Sequence, residues 1–148
     1  MPVSDYAPQT IYAAVVAAAD NATGWEESDD PIYPERQTAA ALEKSFVVRM
    51  SGERPAAGFM EIHGAFSVDW FIEIEMFRRK ITNLTTLKSE LWTAENAIKT
   101  AVYAALGPGV SGVQVPIRWL NCTNPDVRNA DWYSQLQRWI IQSERTTA

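Results

Sequence analysis

Residues Phe59 to Lys80 read FMEIHGAFSVDWFIEIEMFRRK, and this stretch decides the fold. Between Met60 and Met76 the even positions are almost all apolar, whereas many of the odd positions are polar or charged. This alternation predicts a β-strand, because successive side chains on a strand point to opposite faces of the sheet. At about 3.3 Å per residue the alternating segment would span roughly 55 Å. We therefore expect one very long strand, or a strand that Gly64–Ala65 bends or breaks in two.

The predicted length of this strand suggests assembly. A strand longer than the core of its own domain commonly finds a partner on another chain, so we expect its spare edge to be completed by neighbouring copies. The chain also contains six tryptophans, which are spread along the sequence. Aromatic residues are enriched in the buried centres of protein interfaces, but filling one large core is an equally good explanation of them.

Length and composition are typical of one globular domain spanning residues 1–148. The chain is 47% hydrophobic and 21% charged, with no apolar run that reaches membrane-spanning length and no secretory signal pattern at its start. The single Cys122 excludes a disulfide framework and a multi-cysteine zinc site, so we expect synthesis in the reducing host cytoplasm. A net charge of −5 argues against gripping nucleic acid, and we interpret Arg78-Arg79-Lys80 as a solvated strand end.

Two helices are predicted. The first covers the alanine-rich segment Thr10–Ala22, with Gly24 just past its end. The second covers Leu84–Leu106, where apolar residues recur at steps of three and four, Asn83 can cap the start and Gly107-Pro108-Gly109 stops the helix.

The remaining elements are predicted as strands and loops. Ser45–Met50 is expected to be a strand that pairs antiparallel with the long one, and Ser51–Gly58 is expected to be the connection between them. Val113–Leu120 is a further strand. The segment Trp132–Gln142 has a pattern that fits strand or helix, and strand is favoured because it would complete the sheet. Residues 143–148 are expected to be a frayed tail.

Trp25 to Glu35 forms an acidic segment with two prolines, and we interpret it as an exposed arm whose Ile32-Tyr33 pair docks onto a partner surface. Its carboxylates lack the glycine and the terminal glutamate of a calcium loop, so no metal site is predicted there. The order of elements predicts an α+β fold: a single two-layer domain, with a mixed or antiparallel sheet, a long strand or hairpin, and two helices on one face.

The sequence offers little chemistry. His63 is the only histidine. Glu73 and Glu75 would lie about 7 Å apart on one strand face, but an ordinary polar outer face of a sheet shows the same spacing of carboxylates. Cys122 has no histidine near it in sequence, and no nucleotide-binding, zinc-protease or serine-hydrolase motif occurs. We therefore predict no catalytic residues, no cofactor, no bound metal and no enzymatic activity.

The chain length and the order of these elements resemble the small tail terminator, or tail-completion, proteins of long-tailed bacteriophages. The resemblance covers Thr10–Ala22, the pair formed by Ser45–Met50 and Phe59–Lys80, Leu84–Leu106, and the closing segments Val113–Leu120 and Trp132–Gln142. It lies in an order of elements and not in a sharp motif. The acidic segment Trp25–Glu35 is longer than this resemblance would lead us to expect.

The resemblance implies a homo-oligomeric ring, usually a hexamer, located in the virion at the head-proximal end of the tail. Such a ring ends polymerisation of the tail tube protein, presents a surface to the neck or connector protein, and lets DNA pass through its lumen without specific binding. An acidic lumen would repel the phosphates. The residues expected at the subunit or tube interface are Ile32, Tyr33, Phe66, Asp69, Phe71, Glu73 and Glu75.

Two alternatives remain open. A neck or head–tail joining protein would share the same assembly logic while docking differently. A small α+β enzyme or ligand-binding domain would place Trp70 and His63 in a pocket.

Overall fold

A computed structural model describes residues 8–28, 44–55, 65–80, 83–106, 118–123, 125–127 and 132–146. The elements in chain order are α1 (Pro8–Thr23), β1 (Glu26–Glu27), β2 (Lys44–Pro55), β3 (Ala65–Arg79), α2 (Leu84–Leu106), β4 (Arg118–Cys122), β5 (Asp126–Val127) and β6 (Trp132–Thr146). Together they form the predicted α+β domain with a mixed sheet.

Helix α1 ends, and helix α2 begins, where the capping residues predict. Gly24 follows α1 with a positive φ of 69°, and its amide donates to the carbonyl of Asp20 at 2.8 Å, which closes the last turn. At the start of α2, Asn83 Oδ1 accepts a hydrogen bond from the amide of Thr86 at 2.9 Å. The predicted bounds of α2 are confirmed, and α1 begins two residues before the predicted start.

The sheet has the order β1-β2-β3-β6-β4, and β5 also pairs with β6. Strand β1 runs parallel to β2, and the other pairings are antiparallel, so the sheet is mixed. The predicted antiparallel pairing of β2 with the long strand is confirmed. The long strand itself, β3, begins at Ala65, and residues 59–64 lie outside the described part of the chain.

Two strands run further than the sequence predicts. Strand β2 continues through Ser51–Pro55, past an irregularity between Met50 and Gly52, so the prediction that the connection begins at Ser51 was wrong. Strand β6 confirms the choice of strand over helix, and it extends to Thr146 because its last residues pair with the start of β3. The prediction of a frayed tail from Ser143 was therefore wrong as far as Thr146.

The other segments were predicted in part. Strand β4 starts at Arg118 and ends at Cys122, two residues beyond the predicted end, while residues 113–117 are outside the described ranges. Within the acidic segment, Trp25 is buried in the core and Glu26–Glu27 form the edge strand β1. Residues 29–35 of that segment fall in a range that the structure does not describe.

Both helices pack on one face of the sheet, as predicted. The even positions of β3 from Trp70 to Met76 point into this core, because alternate side chains share a face. They meet the buried stripes of the two helices, which include Ile11 and Val15 of α1 and Leu91 and Ile98 of α2. No helix in the described part of the chain is long and apolar enough to cross a membrane.

Candidate assembly surfaces

The long strand β3 lies in the middle of the sheet. Its whole length, from Ala65 to Arg79, pairs with β6, and Val68 to Arg78 pair with β2 on the other side. A strand with two intramolecular neighbours has no free backbone edge. The expectation that β3 offers a spare edge to neighbouring copies was therefore wrong for residues 68–78. Contacts between copies stay a prediction, and at these residues they would use side chains.

The face of the sheet opposite the helices is partly occupied by its own ion pairs. Arg49 Nη1 donates to Glu75 Oε1 at 2.9 Å, and Arg138 Nε lies 3.6 Å from Glu73 Oε1. Glu75 is 6% exposed, whereas Glu73 is only half-buried. Val47, Phe77 and Trp132 form a small buried cluster on the same face. This face therefore presents a mixture of fixed charges and apolar side chains.

The predicted interface residues occupy different environments. Phe71 and Glu73 are half-buried on the face opposite the helices, while Asp69 is 2% exposed and Glu75 is buried beside Arg49. Phe66 belongs to β3, where it pairs with Arg145. Ile32 and Tyr33 lie outside the described residues. A direct contact to another chain remains a prediction for all seven, and it fits Phe71 and Glu73 better than the two buried acids.

A stripe of exposed aromatic side chains runs along the other side of the molecule, where α2 faces the β4 edge. Trp92 is 48% exposed, Tyr103 is 43% exposed and Trp119 is 38% exposed. We call these three residues the aromatic flank. Four tryptophans that the structure describes are buried, namely Trp25, Trp70, Trp132 and Trp139. The explanation that tryptophans fill the core therefore holds for these four, and the interface explanation stays a prediction for Trp92 and Trp119.

Two members of the aromatic flank, Tyr103 and Trp119, make ring contacts within the chain. The ring of Tyr103 meets the buried ring of Trp139 edge to face, with centroids 5.1 Å apart. Lys99 Nζ lies 3.8 Å from the centroid of the Trp119 ring and also pairs with Glu95 at 2.7 Å. These contacts hold Tyr103 and Trp119 in place while leaving much of their surface exposed.

The sequence contained a weak signal for this flank. The apolar stripe of α2 includes Leu91, Ala94, Ile98 and Val102, all of which the structure buries. Trp92 follows directly after Leu91, so helical geometry turns it away from that stripe. A large aromatic residue outside the buried stripe of a helix is the signal by which the sequence indicates that Trp92 is exposed. The position of Trp119 beside Lys99 depends on tertiary structure and has no such signal.

The opposite end of the sheet, formed by α1 and β1, is acidic. Helix α1 contains no lysine or arginine, and Asp20, Glu26 and Glu27 are all exposed. Between α1 and β1 lies an open groove that we call the acidic groove. It is lined by Tyr12, Ala13, Val16, Ala17, Asp20, Glu26 and Glu27.

Tyr12 crosses the acidic groove and joins its two walls. Its hydroxyl donates a hydrogen bond to Glu27 Oε1. Partial burial, this hydrogen bond and the charge of Glu27 raise the pKa of Tyr12 to about 12. The tyrosine therefore stays neutral at physiological pH, and the negative charge of the groove comes from the three carboxylates.

The described residues show no arrangement typical of catalysis. No group of three or more histidine, cysteine, aspartate or glutamate side chains in the described part of the chain could hold a metal ion. Burial and, to a smaller extent, the charge of Glu95 raise the pKa of Cys122 to about 12, against a lowering effect of Lys99. A neutral thiol is a poor nucleophile. His63 lies outside the described residues, so the structure does not test a pocket around it.

Among the comparisons with known proteins, the comparison with solved structures gives a match, and the comparisons of sequence do not. No protein-family model matches the chain. No curated protein sequence matches it either. Among solved structures, a chain of the virion of a native gene transfer agent particle has a similar fold, with a TM-score of 0.55 and 15% sequence identity. The match covers 96% of this chain and 98% of that chain, so the whole domain shares the fold.

Proposed function

We propose that this chain is a structural virion protein of a phage-like particle, and that it forms a ring which caps the tail tube and ends tube polymerisation. The observation that carries the proposal is the shared fold, along nearly the full length of both chains, with a component of a gene transfer agent virion. The resemblance of the order of elements to tail terminator proteins supports the same role, as does the lack of a catalytic arrangement among the described residues.

The proposed ring consists of identical subunits, in six copies as in the terminators that the chain resembles. One side of the ring contacts the last ring of tail tube protein, and the other contacts the neck or connector protein of the head. On the subunit, the face opposite the helices provides Phe71 and Glu73 for these contacts, and Asp69 and Glu75 support that face from within. Phe66, Ile32 and Tyr33 complete the proposed set.

The charge of the chain fits a ring through which DNA passes. A net charge of −5 disfavours binding of the phosphate backbone, because binding of nucleic acid depends on clustered lysine and arginine. DNA leaving the head would therefore pass through the lumen without being held. The proposed place of the protein is the head-proximal end of the tail.

Omission of the protein tests this function. Particles are assembled from a genome in which this reading frame is interrupted by stop codons, and the tails are measured by electron microscopy. The proposal expects tails of uncontrolled length that do not join heads, and it expects recovery when the wild-type chain is supplied from a plasmid. Tails of normal length that are attached to heads would refute the proposal, and tails of normal length without heads would instead indicate a joining protein.

A further inference from the structure

The two ends of the sheet differ in surface chemistry. Strand β1 lies at one end of the strand order and β4 at the other, roughly 19 Å apart at the usual strand spacing. Helix α1 packs beside the first end and α2 packs toward the second. One end therefore carries the acidic groove, and the other carries the aromatic flank.

The charges at the two ends are complementary. The acidic groove has three exposed carboxylates, and the α1 helix that forms one of its walls has no basic residue. Along α2, the partly exposed Lys88 and Lys99 lie on either side of Trp92 in the sequence. Lys99 is paired with Glu95, whereas Lys88 adds a positive charge next to the exposed indole of Trp92. An aromatic surface with the positive charge of Lys88 is thus matched by an acidic and apolar one on the same molecule.

The shapes also fit one another. The α1 wall of the acidic groove contains small and apolar side chains, including Ala13, Val16 and Ala17, which take up less space than a bulky ring would. Trp92 and Tyr103 lie on α2 with 48% and 43% of their surface exposed. Exposed tryptophan and tyrosine side chains that enter a partner groove are typical of the residues that dominate binding energy.

From these observations we infer that the aromatic flank of one copy binds in the acidic groove of the next copy. Such a contact joins two different surfaces, so it is heterologous, and its repetition gives a closed ring when the rotation between successive copies closes. The inference rests on the proposed ring and specifies the surfaces that hold it together. It assigns the lateral contact between copies to the two ends of the sheet, which leaves the face with Phe71 and Glu73 for the tube.

Cysteine cross-linking in assembled particles tests the inference. The background is Cys122→Ser, and its ability to form particles is verified first. Ala13→Cys places a thiol in the acidic groove, and Asn96→Cys places one on the exposed surface of α2, one turn from Trp92. Particles that carry either substitution, or both in one chain, are treated with a short bis-maleimide reagent and analysed by denaturing electrophoresis.

A heterologous contact has a clear signature in this experiment. Chains with both cysteines should form a ladder of dimers, trimers and larger species, whereas either single-cysteine chain should stay monomeric. A mixed assembly of the two single-cysteine chains should stop at dimers. Absence of a ladder, linking of Ala13→Cys chains to each other, or linking of Asn96→Cys to a different virion protein would each overturn the inference.

A second measurement uses incorporation into particles. We expect Trp92→Ser to enter particles at least about tenfold less well than the wild-type chain when the two are produced together, since it removes an exposed anchor. Trp92→Phe keeps an aromatic ring and should enter nearly normally. Because Trp92 is half-exposed, both variants should fold, which circular dichroism of the purified chains verifies. Equal incorporation of Trp92→Ser would contradict the inference.

Failure of the inference differs from failure of the proposed function. If omission gives tails of uncontrolled length while cross-linking gives no ladder, the chain ends the tail through another lateral contact. If omission leaves tails normal and attached, the proposed function is wrong whatever the cross-links show.

Discussion

The sharpest stability prediction concerns the buried guanidinium of Arg78. Its side chain is 6% exposed, and its Nε donates a hydrogen bond to Glu90 Oε2 on α2. Arg78 Nη1 also donates to the carbonyl of Arg79 at 3.3 Å, and Lys44 Nζ lies 4.0 Å from the same Glu90 oxygen. The two cations from β2 and β3 thus share one carboxylate, which connects the sheet to the first half of α2.

Glu90→Ala should lower the free energy of unfolding by about 2–3 kcal/mol. Removing one partner of a fully buried ion pair costs about 3–5 kcal/mol, because a buried charge is left without compensation. Glu90 is itself 29% exposed, and Arg78 keeps one carbonyl acceptor, so the expected loss lies below that range. This loss is a large part of the total free energy of unfolding, which is about 5–15 kcal/mol for a typical domain.

The assay is urea unfolding followed by tryptophan fluorescence. Arg78→Met removes the buried charge, so Arg78→Met with Glu90→Ala should be more stable than Glu90→Ala alone. Glu73→Ala is the matched control, since it breaks the more exposed pair with Arg138 and should cost less than about 1 kcal/mol. If Glu90→Ala costs no more than Glu73→Ala, Arg78 is solvated and the reasoning is refuted.

Two further predictions concern the cap at the start of α2 and the thiol of Cys122. Asn83→Ala should lower the free energy of unfolding by about 1 kcal/mol, because it removes the side-chain acceptor of the Thr86 amide, and Asn83→Asp should retain it; equal losses in urea unfolding would contradict the capping role. Alkylation of Cys122 by iodoacetamide at pH 9 should be on the order of 1,000-fold slower in the folded chain than in urea, because a pKa raised to about 12 leaves the thiol protonated, whereas the unfolded thiol has a pKa near 8.5. Because the pKa of this thiol is higher in the folded state, the thiol contributes to the free energy of unfolding below about pH 8.5. This contribution is lost as the pH rises from about 8.5 toward 12. Glu95→Gln should accelerate labelling of the folded chain, and equal rates in the folded and unfolded chains would refute the shift.

The fold was largely predictable because its signals are local. The apolar repeat from Leu84 to Leu106 and the capping Asn83 set the bounds of α2, and the alternation after Ala65 set β3. Edges and strand lengths were less predictable. Strand β6 extends to Thr146 because it pairs with the start of β3, a contact between residues about 80 positions apart that no local pattern contains.

The candidate surfaces were less predictable than the fold, for a physical reason. Arg78 was interpreted as part of a solvated strand end, since runs of basic residues usually face water. The structure buries it, because Glu90 on the following helix supplies the compensating carboxylate, while the neighbouring Arg79 stays exposed. Burial of a charge depends on such a partner, and the sequence alone does not show which carboxylate comes near.

The position of β3 changes the argument for assembly more than any other feature. A long strand at the edge of a sheet could pair with any similar strand through its backbone. Such pairing would not limit how many copies join. Placing β3 between β2 and β6 satisfies its backbone and leaves side chains to define the contact. A ring of fixed size needs two different and complementary surfaces at a fixed angle. In the contact that we infer, the acidic groove beside β1 and the aromatic flank beside β4 would be two such surfaces, and the sheet between them would set the angle at which successive copies meet.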